Sequence, residues 1–213
     1  IETALEKTGA DHVWCQPTAQ DFVNELEAYV WHVEEPQVSS APFAMWMVMR
    51  LASQHVTVVL DGQAGDELLG GYDHYSYVFV RDLVRRRRYG DALREAWKSR
   101  DIVVPLIRRR LHEKRHRVDI HELLRPSFYK GRKRPVDDRV ANDLKKRLLQ
   151  DFSLYRLPPL LRYEDRNSMA HSLEARLPFL DQELVEHILR LPVDAIIHNG
   201  INRAILRDAL EDI

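Results

Sequence analysis

Val56-Thr57-Val58-Val59-Leu60, running straight into Asp61-Gly62-Gln63-Ala64-Gly65-Asp66-Glu67-Leu68-Leu69-Gly70-Gly71-Tyr72, is the stretch on which the fold turns. Four of its first five residues are β-branched, stiff at χ1 and suited to a pleated strand. A strand apolar on both sides predicts burial on both faces, as in a parallel sheet. In open parallel sheets ligands bind beyond the carboxyl ends of the strands, where the loop from Asp61 onward lies. Gly62 and Gly65 permit a tight turn and a close approach of backbone N–H groups to phosphate oxygens. A helix starting near Asp66 would aim its positive end at the same place. Two acidic side chains beside phosphates repel them unless a divalent cation intervenes, which makes Asp66 a candidate Mg²⁺ ligand. The plain alternative is a turn with a capped helix, because short glycine motifs discriminate poorly.

Upstream, His12 to Gln16 is a short apolar run that predicts a buried strand, with Cys15 as an inert core thiol inside it. Pro17 ends the run, and Thr18 or Asp21 can cap an amphipathic helix reaching about His32. Glu34 to Pro42 predicts a loop, and Ala41 to Gln54 a helix. Strand, helix and strand in this order imply a parallel sheet whose other strands come from upstream or from another chain. No comparable strand is predicted after Leu60. The remainder alternates charged and apolar residues at helical spacing over Tyr77–Arg88, Asp91–Lys98, Val104–Arg117 and Val136–Phe152. Further helices are predicted at Pro159–His171, Asp181–Arg190 and Ile201–Glu211.

The 213 residues are 45% hydrophobic and 31% charged, an ordinary composition for one globular core with a small satellite. No apolar run approaches the roughly 20 residues that cross a bilayer, and the first residues lack an export pattern. The single cysteine excludes an internal disulfide, and the cytoplasm is the expected compartment. Ile1 is not a start methionine, so a piece of a longer protein is expected. The net charge of −1 is unevenly spread: residues 81–134 hold nineteen Lys and Arg against seven Asp and Glu. Arg85-Arg86-Arg87-Arg88, Arg108-Arg109-Arg110 and Lys114-Arg115-His116-Arg117 could bind a nucleic acid. Aromatic residues among them are sparse, however, so solvated helices paired with the acidic remainder are the expectation.

Residues 160–181 read LLRYEDRNSMAHSLEARLPFLD. The bland account is a helix with internal ion pairs such as Arg162 with Asp165. Charge this dense among apolar neighbours more often lines a site, since buried charge survives only when paired. Taken together, the loop Asp61–Tyr72, the run Arg162–Ala170 and the run Glu174–Asp181 resemble the synthetase domain of glutamine-dependent asparagine synthetases. Val33-Glu34-Glu35-Pro36 resembles that family's Asp-Glu-Pro segment, and Asn199–Arg207 its closing helix. The likeness covers nearly the whole chain and is weakest between about 81 and 150.

The resemblance implies an α/β fold. A partial parallel sheet of the ATP-pyrophosphatase (adenine nucleotide α-hydrolase-like) type would occupy residues 1–80, and a mainly helical part residues 81–213. It implies ATP and Mg²⁺ as cofactors, and adenylation of aspartate followed by displacement of AMP by ammonia. Asp66 would then hold Mg²⁺ and pyrophosphate, Leu60, Asp61, Gly62 and Gly65 would border the nucleotide, and Glu67 would orient the loop. Arg166, Glu174 and Arg176 would support the pocket wall. Two departures stand out. Relatives often carry an acid at Gln63, a neutral amide here that cannot act as a base. They usually carry a lysine where Arg203 stands, a larger, always-charged group that can grip phosphate bidentately. The family's Ser-Gly-Gly-x-Asp-Ser loop and its glutaminase domain, which takes ammonia from glutamine, are expected upstream of Ile1. Without them this stretch alone is expected to be inactive. Ring-closing β-lactam or macrolactam synthetases, to which Ser39, Ser40 and Gln63 leave room, and a nucleotide-binding pseudoenzyme are alternatives. A homodimer is compatible with all of these.

Overall fold

The structure, a computed structural model, describes residues 2–37, 39–115, 141 and 143–211. The chain is mixed α/β and mostly helical, with a small parallel sheet. It divides into two compact units, Ile1–Gln63 with Arg156–Asp181, and Ala64–Tyr155 with Gln182–Ile213.

In the first unit the Ala19–Val33 helix begins at a reciprocal cap. The Thr18 hydroxyl accepts from the Asp21 N–H at 3.2 Å, and the Asp21 carboxylate accepts from the Thr18 N–H at 2.8 Å. Both predicted capping residues are therefore used. Glu34 closes the helix in the left-handed region at φ 62°. Pro42 sits in the first turn of the Ala41–Ala52 helix, where its missing N–H costs nothing. Tyr29, Val33, Phe43 and Trp46 form the core between the two helices. Their rings meet edge-on, Tyr29 to Phe43 at 5.4 Å and Tyr29 to Trp46 at 5.6 Å, the orientation aromatic quadrupoles favour. The Leu157–Ala170 helix packs on both, and its buried Asn167 side chain donates to the Pro42 carbonyl at 2.9 Å. Strand β1, Val58–Leu60, pairs in parallel with strand β2, Glu174–Arg176, so that Val59 faces Ala175.

Several expectations are corrected here. His12–Gln16 is not a strand; Val13 and Trp14 are exposed, and Cys15 is half-buried rather than a core thiol. A strand exists only as a member of a ladder, and among the described residues this run has no partner. The Val56–Leu60 strand is shorter than predicted and not buried, Leu60 being 73% exposed. A strand after Leu60 does exist: β2 was missed because three residues, two of them charged, carry no apolar alternation.

The second unit is built from the Asp73–Arg85, Tyr89–Lys98, Arg100–Arg115, Leu144–Gln150 and Gln182–Arg190 helices, with shorter turns between. Tyr75, Phe79, Leu83, Leu144, Leu148, Ile196 and Ile197 are central to its core. Buried Asp151 accepts from the Tyr75 hydroxyl at 2.9 Å and from Arg147 Nε at 2.7 Å. Burial would raise its pKa, but the bonds from His74, Arg147 and Tyr75 outweigh it and hold the carboxyl below its ordinary range. Of the predicted Val136–Phe152 helix, Leu144–Gln150 is helical and Asp151–Tyr155 is a π turn, while 136–140 and 142 lie outside the described residues. The predicted Ile201–Glu211 helix is only Ala204–Ala209, because Ile201–Asn202 turns back in a hairpin onto Ile197–His198.

The first arginine cluster of the basic run is mostly paired. Arg85 and Arg86 meet Asp82 and Asp143, and Arg88 meets Asp91 and Asp194. At these positions the surface is acid-paired, as expected. The stretch from His116 to Arg134 lies outside the described residues.

Candidate functional site

In the second unit the candidate residues are assembled around a five-residue helix, Gly65–Leu69. So short a helix has little dipole to offer an anion, which weakens that part of the sequence argument. The turn into it is made by Ala64, at φ 74°, and not by Gly62 or Gly65, neither of which has positive φ. At its far end Gly70 takes the left-handed region at φ 68°, and its N–H donates to the Asp66 carbonyl. The Gly71 N–H donates to the same carbonyl at 3.0 Å. A Cβ on Gly71 would stand 1.8 Å from Asp66 Oδ1, so a hydrogen at this position is what lets the carboxylate lie where it does.

Asp66 Oδ1 is buried and makes no hydrogen bond. Arg203 Nη1 lies 3.1 Å from it, an ion pair at an angle that is not a hydrogen bond. The neighbouring Glu67 turns the other way: it is 1% exposed and accepts from the Tyr72 hydroxyl at 2.6 Å. Glu67 therefore anchors the short helix from inside, while Asp66 Oδ1 has the Arg203 ion pair and no hydrogen bond. Arg203 is delivered by the hairpin. Asn202 donates to the carbonyls of Gly71 and Tyr72, each at 3.4 Å, and accepts from the Ser76 hydroxyl at 2.8 Å. Arg203 itself adopts φ 55°, a costly backbone for a non-glycine residue, at the cap of the Ala204–Ala209 helix.

In the first unit the chain leaves β1 with the Asp61 N–H donating to the Arg176 carbonyl at 3.0 Å. The Gly62 N–H is taken by the Asp61 carboxylate. Both amides are thus already engaged. Against this loop stands Glu164, from the Leu157–Ala170 helix, 2% exposed and with the side chains of Asp61 and Gln63 as its polar neighbours. Burial, reinforced by the neighbouring Asp61 carboxylate and partly opposed by Gln63, pushes the Glu164 pKa up to about 7.

The residues expected in the pocket wall are placed as follows. Glu174 and Arg176 sit two apart on β2, on one face of the strand, and pair at 2.8 Å with both side chains exposed. Arg166 pairs with Glu34 at 2.7 Å and Arg162 with Glu35 at 3.2 Å. The predicted ion pair within the helix, Arg162 with Asp165, is replaced by these two, which tie the helix to the loop after Val33.

Asp66 and Arg203 are thus brought together, as are Asp61, Gln63 and Glu164, and as are Glu174 and Arg176. Sequence reasoning missed Glu164. The signal was present: Leu157, Glu164, Asn167 and Ser168 are the buried positions of their helix, a stripe at spacings of seven, three and four. An acid on the apolar phase of a helix is what that pattern would have exposed.

Among the described residues no helix is long and apolar enough to cross a membrane, and no three acidic, histidine or cysteine side chains cluster as a metal cage. The asparagine synthase family model matches residues 1–213. Glutamine-hydrolysing asparagine synthetase 1 of Bacillus subtilis is 26% identical over 91% of this chain and 34% of its own length. Asparagine synthetase 3 of the same organism is 25% identical over 100% of the chain and 33% of its own length. The mouse asparagine synthetase is 41% identical over a shorter stretch, 34% of the chain and 12% of that protein. The chain spans about a third of the length of the two bacterial relatives. With the model matched from the first residue to the last, on a chain that brings Asp66 and Arg203 together, the protein belongs to the asparagine synthase family.

Proposed function

We propose that this chain is the greater part of the synthetase domain of a cytoplasmic enzyme that converts aspartate to asparagine with ATP, taking ammonia released from glutamine by a separate glutaminase domain. The observation that carries the reading is the Asp66 carboxylate, one oxygen unbonded, set 3.1 Å from the Arg203 guanidinium on the loop that follows β1. An arginine that can grip phosphate and a carboxylate that can hold a cation, side by side, suit a leaving diphosphate. In this reading the aspartate carboxylate attacks the α-phosphate of ATP, giving β-aspartyl-AMP and pyrophosphate. Ammonia then forms the amide and AMP leaves.

Asp66 fits Mg²⁺ in the way that ion is usually held, by one or two carboxylates together with phosphate oxygens and water. When bound it would neutralise charge on the departing diphosphate. Arg203 orients the same group, Glu67 fixes the helix that carries Asp66, and Leu60 and Gly65 border the nucleotide. The amides of Asp61 and Gly62 are committed, so nucleotide contacts from those two residues fall to their other atoms. Glu174 and Arg176 brace β2, and Arg166 braces the helix behind the loop. The sheet of ATP-pyrophosphatase type would be completed by strands from outside residues 1–80, a reading supported by the exposure of Leu60 on β1.

Product analysis tests the proposal. The full-length protein, given aspartate, ATP, Mg²⁺ and ammonia, is expected to yield asparagine, AMP and pyrophosphate in equal amounts. ADP and phosphate, or AMP without an amide, would contradict it.

A further inference from the structure

Resting on the function just proposed, we infer that Glu164 is the proton acceptor for amide formation, doing from the Leu157–Ala170 helix what the neutral Gln63 cannot do from the loop. The chemistry requires such a group. The ammonia lone pair attacks the carbonyl carbon of the acyl adenylate, and the new C–N bond leaves the nitrogen positively charged. One N–H proton must then pass to a base. As the C–O bond to AMP breaks, the phosphate oxygen keeps its electron pair and AMP departs as the anion. The proton ends on the base and afterwards on water, so charge and atoms balance.

Gln63 has no basic lone pair to receive that proton. Glu164 stands beside Gln63 and Asp61, almost wholly buried, with those two side chains as its polar neighbours. A buried carboxylate is expensive, and here the Asp61 carboxylate beside it adds to the cost of the charged form while the Gln63 amide offsets only part of it. It also borders a cavity of about 320 Å³ that Asp165, Glu174, Leu161, Ala175 and Leu177 help to line. That is ample for ammonia, and its acidic rim favours a small cationic or protic guest over an anion. The elevated pKa of about 7 gives a carboxylate that takes a proton readily and returns it near neutrality. Asp61, by contrast, has its carboxylate committed to the Gly62 amide and is the poorer acceptor.

The test separates the two half-reactions in the full-length protein. Glu164→Gln is expected to retain aspartate-dependent ATP–pyrophosphate exchange while asparagine formation from ammonia falls at least about 100-fold, the typical contribution of a positioned base. Adding Gln63→Glu to that variant moves the carboxylate across to the loop and is expected to restore amide formation. Equal loss of exchange and amide formation in Glu164→Gln, or amide formation kept at the wild-type rate, would overturn the assignment. If the wild-type protein itself shows neither exchange nor amide, the functional proposal fails, and this one with it. If the wild-type shows both and only the Glu164 variants disagree, the proposal for Glu164 alone fails. Thermal unfolding of Glu164→Gln serves as the folding control, and a midpoint no lower than wild type is expected once the buried charge is gone.

Discussion

Gly71 leaves no room for a methyl group, and that one restriction shapes the site. Its missing Cβ would overlap Asp66 Oδ1 at 1.8 Å, so Gly71→Ala must push the carboxylate off its present position beside Arg203. Displacing a reacting group's partner by an ångström can cost about 100-fold. Gly71→Ala is therefore expected to lower ATP–pyrophosphate exchange by about that factor in the full-length protein, while its far-ultraviolet circular dichroism stays that of wild type. Unchanged exchange would mean that Asp66 does not work from this position. At this scale the sequence was legible where residue chemistry is local. Asp66 was picked out from its own loop, while Arg203 came only through the family resemblance; the two lie 3.1 Å apart. It was misleading where geometry is not local: the tight turn was expected at Gly62 and Gly65, but the left-handed residue is Ala64. Glu164 escaped notice because its burial depends on packing across helices, which no window along the chain reports.

Elements whose signal lies within a few residues were read well. The Ala19–Val33 helix starts at Thr18 because Thr18 and Asp21 satisfy each other's neighbouring amides, and both residues are visible in the sequence. Thr18→Ala removes the side-chain acceptor, and is expected to cost about 1 kcal/mol in urea-induced unfolding. A change below a few tenths would show that the cap is not holding the helix. Strands were read poorly. β1 was found, though two residues too long, because Val56-Thr57-Val58-Val59 advertises β structure. β2 was not, because Glu174-Ala175-Arg176 becomes a strand only by pairing with Val58–Leu60, far away along the chain. Pairing of that kind is a property of the fold, and three residues are too few to display a period. His12–Gln16 shows the converse, an apolar run that looks like a strand and, with no ladder to join, is none.

At the scale of the whole molecule, the chain is two compact units, each built from segments distant in sequence. Helix content followed from composition and spacing, as did the acid pairing seen around Arg85–Arg94. The crossing points between units did not, since nothing in the residues near Gln63, Tyr155 or Asp181 marks a boundary. Of the excess of positive charge in 81–134, which on composition alone could suit a polyanion, Arg85, Arg86, Arg88 and Arg94 are paired with Asp82, Asp91, Asp143 and Asp194. What remains distinctive is the Asp66 and Arg203 pair, and the central claim is that it holds the diphosphate leaving ATP. Aspartate-dependent exchange of labelled pyrophosphate into ATP by the full-length protein, compared with its Asp66→Asn variant, tests this most directly. The account predicts exchange in the wild type, reduced at least about 100-fold by a substitution that keeps the shape and removes the charge. Exchange surviving at the wild-type rate in Asp66→Asn would contradict it.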